Sequence, residues 1–564
     1  MSHAPDSLPL LGNAIQFLKP RHVLFDWFVK CQQIFGHETF EISVPSLPPG
    51  VVINSPQVLD YVLKNEAAIT KGEFFRKRSW DLFGYGIINA SGELWRAQRK
   101  AGLKFFSGTN LDTMIEEVLP EIYEESTQDV LSQAAQDRSV VDLQKIFHDL
   151  TTTVVGHMAY DMEIEASSPF SKAFDHASSQ IGLRFQNPLY RLTEFLTGSS
   201  FRAALVEVKR FGRQIVSEAR KRRAREAFES LITNTHQEEA QLKRQRQKSD
   251  NDDESGLGFG TLIDSLIESL GDPKLVADAA LNFLSAGRDT TAQSFTWTFY
   301  ALLRHPEALK RVREEIDSKF EMNPTPTAEQ KPLDAAADGA NGDEDVEIDV
   351  SALQPTSLPY TTAVFYESLR LYPPVPFEIK QTIQPVTLPD GTVLPDGAIV
   401  VWCIWALNRS FSTFGEDAHS FRPERWLEET SRPGDGASSD ADTNPDMSTT
   451  QQPSPLLKFI GSKFSAGEFP VFNGGPRSCL GKKMAELMGT WVLVRLLREW
   501  DFEEVNDGLH MDAASGERRS ANSLTLPMQG GLPVRVFTRR RRGRRRGGGG
   551  GGEEEKKERG EGHE

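Results

Sequence analysis

Cys479 lies in the stretch Phe472-Asn473-Gly474-Gly475-Pro476-Arg477-Ser478-Cys479-Leu480-Gly481, a turn rich in glycine and proline. A helical run from about Lys482 to Leu497 follows at once. Glycines permit backbone shapes and close approaches that a Cβ would block. A helix N-terminus and a nearby cation such as Arg477 both favour thiolate over thiol. A thiolate held rigidly at a helix start is a soft metal ligand with one open side. An inert thiol buried in a turn would use the same residue types.

A second segment with chemical potential sits mid-chain. Asp272 is a good N-cap and Pro273 a good first helical residue. Leu275, Val276, Ala279, Ala280, Phe283, Leu284 and Gly287 recur at helical spacing, and the apolar character lasts past Trp297 to His305-Pro306. The spacing predicts a long, mostly buried helix. Ala286-Gly287-Arg288-Asp289-Thr290-Thr291 breaks its apolar run. Glycine there costs about 1 kcal/mol against alanine. Small residues make room for a bound molecule, a hydroxyl can open the helix groove to water, and an acid can feed protons inward. A satisfied polar kink would look the same.

Two spaced pairs complete the set. Glu367 and Arg370 share one face of a short helix that Pro373-Pro374 ends. Trp95 and Arg99 are one helical turn apart, and their indole N–H and guanidinium suit carboxylates. Each pair could equally be ordinary surface chemistry.

Phe-x-x-Gly-x-Arg-x-Cys-x-Gly, carried by Phe472, Gly475, Arg477, Cys479 and Gly481, closely resembles the haem-ligand signature of the cytochrome P450 superfamily. The other segments match that family in order and spacing. The resemblance covers about Leu8 to Phe537 and implies a mainly α fold with a small β-rich region, including residues 39–54 and 383–402. It implies haem b, with Cys479 as the axial ligand of iron. Thr290 would bond the oxygen being activated, Asp289 would belong to the proton-delivery route, and Ala286 would leave space beside the iron. Trp95, Arg99 and Arg477 would bind the haem propionates, with Lys380 as the nearest cation in the strand where relatives place an arginine. Glu367, Arg370 and Arg425 would form a buried network that assembles the pocket.

Composition is compatible with this. The chain has 564 residues, a net charge of −16, and 38% hydrophobic residues. Such a charge does not advertise a nucleic-acid partner. Cys31, Cys403 and Cys479 make neither a disulfide framework nor a Cys-x-x-Cys site. No run of about 20 apolar residues predicts a membrane-spanning helix. Residues 1–537 read as one haem domain, with surface insertions at 237–260, 322–349 and 430–455 that are too polar to order themselves. Residues 538–564, rich in Arg, Gly and Glu, read as a disordered tail.

The family reaction is monooxygenation. No flavin or nicotinamide fold follows Leu497, so the resemblance implies a separate NADPH-cytochrome reductase, with cytochrome b5 as a further candidate. Arg96, Lys100, Lys104, Lys482 and Lys483 would offer it a basic face. The stretches 71–77, 81–89 and 181–190 are similar to the fungal and plant clan that hydroxylates long-chain alkanes and fatty acids. By position in that clan, Phe83, Tyr85, Ile87, Phe283, Val375, Phe377 and Leu526 would line an apolar substrate pocket. The family places such enzymes on the cytosolic face of the endoplasmic reticulum. Here the chain starts near its Pro/Gly segment. Either the sequence begins short of an anchor, or the protein touches membrane through a surface such as Phe185–Leu196, with the cytosol as the other location. A haem isomerase or peroxygenase and a non-catalytic haem-binding protein are the alternative functions.

Overall fold

The computed structural model describes residues 2–45, 47–244, 260–321, 348–430, 456–505, 508–513 and 515–539, with the side chains of 231–244 and 321 outside the description. Helices dominate, as the periodicity predicts. The long helix spans Pro273–Arg304, and Asp272 caps it by accepting from the N–H groups of Lys274 and Leu275 at 2.7 and 3.1 Å. Its polar centre does not interrupt it, because neighbours supply the partners. Thr151 donates to the Arg288 carbonyl at 3.1 Å, and, ahead of the polar centre, Tyr160 donates to that of Ala280 at 2.8 Å. Both donors come from the helix Leu143–Tyr160 that packs along it. A Cβ at Gly287 would stand 3.1 Å from Val155, so glycine is what lets these two helices approach.

The β-rich region is a sheet of order Ser2–His3, Phe40–Ile42, Gly50–Val52, Ile399–Cys403, Phe377–Thr382 and Ile69–Thr70. Phe377–Thr382 runs antiparallel to Ile399–Cys403 with Ile379 opposite Val401. Alternation then sends Lys380 to the opposite face from Ile379. Among the described residues no helix is long and apolar enough to cross a membrane.

The expected insertions and tail lie almost wholly outside the described residues, with corrections at their edges: Ile348 is buried, Thr430 pairs with Leu456 and Thr538 pairs with Trp500 in antiparallel ladders. The helix Ser199–Arg244 carries regular backbone through residues 237–244, which composition assigned to a loop. Arg539, assigned to the tail, is tied to the fold by ion pairing with Asp317 at 2.7 Å and by donating to the Leu497 carbonyl at 3.0 Å.

Candidate active site

The cysteine loop is built on backbone shapes that side chains would prevent. Gly475 has φ +59°, and a Cβ there would sit 2.3 Å from the carbonyl oxygen of Leu63. The loop closes when the Cys479 N–H donates to the Phe472 carbonyl at 2.8 Å. The helix Lys482–Glu499 starts just beyond it. Burial pushes the Cys479 thiol up, opposed by the Gly481 N–H, Arg99 and Lys482. Arg477 is not the cation that assists the sulfur. It turns away to Glu66 at 2.7 Å and to the Ala90 carbonyl at 2.8 Å.

Cys479 and Ala286 are exposed although both belong to the interior, because they open on a cavity of about 400 Å³. The long helix contributes Phe283, Ala286, Gly287, Thr290 and Thr291 to its wall, and the cysteine loop contributes Phe472, Arg477, Cys479 and Gly481. Thr290 donates its hydroxyl to the Ala286 carbonyl at 2.6 Å. Phe83, Ile87, Val375 and Phe377 also line the space. Tyr85 does not: its ring packs on Trp80 at 4.8 Å and under Lys274 at 5.4 Å. Leu526 is fully buried, and its backbone bonds Gln293 and Trp297 behind the wall, so Leu524 and Thr525 face the cavity in its place.

The residues present fit a haem. Among the described residues the wall carries one cysteine, no histidine and no aspartate, and its one glutamate, Glu378, is paired with Lys71 at 2.6 Å. A metal here must therefore bring most of its own ligands, as porphyrin iron does. A Cβ at Gly481 would meet nothing closer than Phe106 at 3.7 Å, so a flat group can lie against the loop. Trp95, Arg99 and Arg477 stand on the wall as a cationic and indole edge, with Arg477 4.9 Å and Arg99 5.6 Å from the Trp95 ring. Arg99 also donates to the Ser478 carbonyl at 2.9 Å, next to the cysteine.

Lys380 does not reach this edge. It is 1% exposed and held by Glu66 at 2.9 Å and by the Val62 carbonyl. Glu66 thus bridges Lys380 and Arg477. Glu66 went unnoticed in the sequence because its partners are remote in the chain. Asp278 and Asn282 were missed for the same reason. They bond the backbone of Tyr85 and Ile88 at 3.0 and 3.2 Å and so fix the loop that bears Phe83 and Ile87.

The Glu367 network is formed as expected. Glu367 and Arg370 are both 0% exposed and 2.7 Å apart, and Arg425 approaches Glu367 at 2.9 Å. Trp426 donates its indole N–H to the same carboxylate at 2.9 Å. Burial would raise the Glu367 pKa, but Arg370, Arg425 and the Arg422 N–H outweigh it and hold the carboxyl below its usual range. This helix, Pro359–Leu371, bears on the cysteine helix. Tyr366 hydrogen-bonds Glu486, and a Cβ at Gly489 would stand 2.7 Å from the Phe365 ring.

Asp289 does not line the cavity. It faces His148 on the adjacent helix and lies 3.3 Å from Arg288, which is itself 2% exposed and paired with Asp175 at 2.9 Å. The sequence offered Asp289 as an acid but gave no sign that Arg288, His148 and Asp175 would surround it.

The sequence model of the family described as Cytochrome P450 matches residues 3–517. The chain belongs to the cytochrome P450 family. It is a P450 monooxygenase by family, and haem-thiolate is the family's cofactor. The chain is 26% identical to Cytochrome P450 94A1 of Vicia sativa, over 95% of this chain and 90% of that protein. It is 28% identical to Cytochrome P450 monooxygenase cyp1 of Mycosarcoma maydis, over 95% and 75% respectively. It is 27% identical to Alkane hydroxylase MAH1 of Arabidopsis thaliana, over 91% and 89%.

Proposed function

We propose that this P450 inserts one oxygen atom into a long-chain fatty acid or n-alkane, with Cys479 as the haem ligand and electrons from a separate NADPH-dependent reductase. The observation that carries this reading is the placement of Cys479 and Thr290 on the wall of one predominantly apolar cavity. Similarity to a protein named as an alkane hydroxylase supports the substrate class. Apolar walls suit an apolar chain.

Bound haem supplies the activation of O₂, one atom entering the substrate and the other leaving as water. The chain's own residues would do the rest. Cys479 donates the thiolate. Trp95, Arg99 and Arg477 would orient the carboxylate side chains of the haem. Phe83, Ile87, Phe283, Val375 and Phe377 would exclude water and hold the substrate. Thr290 can hold a proton at its hydroxyl, and Asp289 can hold one behind it.

The reductase would dock near the cysteine. Arg96, Lys100, Lys104, Lys482 and Lys483 are all exposed on the helix Gly92–Phe105 and at the start of the cysteine helix. Contact with a membrane surface would use Leu189, Leu192, Phe195 and Leu196, which are 60–79% exposed, together with Leu10 and Leu18. Such patches bind weakly and reversibly.

The test is the absorption spectrum of reduced, CO-bound protein beside Cys479→Ser. The strongly red-shifted Soret band of thiolate-ligated haem, lost in the variant, is expected. Haem-loaded, folded protein without that band would sink the thiolate assignment. Turnover of dodecanoic acid and dodecane with reductase and NADPH then tests the substrate class.

A further inference from the structure

A second cavity, of about 150 Å³, adjoins the first and shares Phe75, Phe377 and Leu524 with it as lining. Most of its wall is apolar, including Phe17, Phe28, Phe74, Phe185 and Ile379. Among the described residues three arginines also line it, Arg21, Arg78 and Arg184, and no carboxylate does.

The three are not equivalent. Arg184 is answered twice, by Asp81 at 2.8 Å and Glu194 at 2.7 Å. Arg21 and Arg78 have no carboxylate partner among the described residues, though they are only 6% and 7% exposed. Arg21 donates through Nη1 alone, to the carbonyls of Ala521 and Ser523 at 3.0 and 2.8 Å. Arg78 donates to the carbonyls of Arg184 and Phe74, both at 3.2 Å. Its guanidinium also lies 3.6 Å from the Phe74 ring. Carbonyls and rings satisfy some of the donors, but they leave both charges uncompensated in a mostly apolar space. Buried charges are ordinarily paired. Burial accordingly pulls the Arg21 pKa down to about 9 and lowers that of Arg78.

We infer that this second cavity is the head-group site for a long-chain carboxylate, held by Arg21 and Arg78. Its chain passes between Phe75, Phe377 and Leu524 into the cavity of Cys479. The inference rests on the long-chain monooxygenase reading and narrows it. An acid is the ligand that supplies the missing negative charge, whereas an alkane leaves both arginines unanswered. Guanidinium groups recognise carboxylates by paired N–H donors. With the carboxylate held outside the Cys479 cavity, the end of the chain remote from it is the part that reaches the oxygenation site.

The test is calorimetric binding of dodecanoic acid, its methyl ester and dodecane to the full-length haem-loaded protein, with Arg21→Gln, Arg78→Gln and the double variant alongside. The wild type is expected to bind the acid at least about tenfold more tightly than the ester. The double variant is expected to lose that preference while its affinity for the ester stays unchanged. Equal binding of acid and ester by the wild type overturns the inference without any variant having to fold. Parallel weakening of both ligands in a variant that melts at the wild-type temperature also overturns it, since it marks the arginines as structural. A missing thiolate Soret band counts instead against the monooxygenase reading, because acid preference is read in binding.

Discussion

His148 Nδ1 stands 3.9 Å from Asp289 Oδ1, and neither atom has a hydrogen-bond partner among the described residues. Burial pushes the Asp289 carboxyl up to about 7, and the Arg288 charge only partly opposes it. Burial, helped by Arg288, pushes His148 down to about 4. Near neutral pH the acid behind Thr290 therefore exchanges its proton while the imidazole stays neutral.

These shifts make a stability prediction in which the signs oppose. Asp289 titrates higher in the folded than in the unfolded chain, so its contribution is present below about pH 4 and is lost as pH rises through about 7. His148 titrates lower when folded, so its contribution is present above about pH 6.5 and is lost as pH falls toward 4. The two nearly cancel between these limits. Relative to wild type, Asp289→Asn should gain stability as pH rises from 4 to 7, by at most about 1.4 kcal/mol per pH unit. His148→Gln should lose stability relative to wild type as pH rises from 4 to 6.5. Urea midpoints measured across this range check both, and difference curves flat with pH would refute the coupling.

Asp289→Asn is also expected to slow turnover by about 10²-fold, the usual worth of a positioned proton donor. Because Asp289 lies behind the cavity wall, substrate binding and the CO-bound spectrum should not change. A variant that turns over at the wild-type rate would remove Asp289 from the proton route.

The carboxylate of Glu367 ties its own helix, through Arg370, to the segment 422–426, through the Arg422 N–H, Arg425 and Trp426. Glu367→Gln would leave Arg370 and Arg425 without their shared buried anion, a change worth about 3–5 kcal/mol. Thermal unfolding and haem retention should fall together. Since the carboxyl titrates below its usual range, the wild type should lose this contribution as pH falls through the folded-state pKa. Unchanged melting of the variant would mean that the network is dispensable.

Much of this was legible in the sequence, and the failures are instructive. Local spacing placed Cys479 at a helix start, Thr290 on a buried helix, and Glu367 beside Arg370, because each relation lies within one or two turns. Lys380 failed because its face of the strand is set by sheet register, and Glu66 intercepts it. Tyr85 and Leu526 failed because apolar residues next to a cavity and residues on its wall share the same composition. The head-group arginines could not be anticipated. Arg21 and Arg78 are unremarkable until the fold shows that, among the described residues, no carboxylate is placed opposite them.

Two glycines of the cysteine loop separate the demands of the fold from those of the bound group. Gly475 has φ +59°, and its Cβ would collide with the Leu63 carbonyl at 2.3 Å. Gly475→Ala should therefore destabilise the protein with or without haem, by about 1–3 kcal/mol from backbone strain alone. Gly481 has φ −86°, and its Cβ would meet no described atom within 3.7 Å. The methyl of Gly481→Ala faces the cavity instead. The haem-free variant should melt at the wild-type temperature, while haem affinity falls about tenfold through overpacking. Titration of haem into both apoproteins, beside their melting curves, measures the two effects separately. A Gly481→Ala protein that binds haem as tightly as wild type would show that the flat group does not lie against the loop at this position.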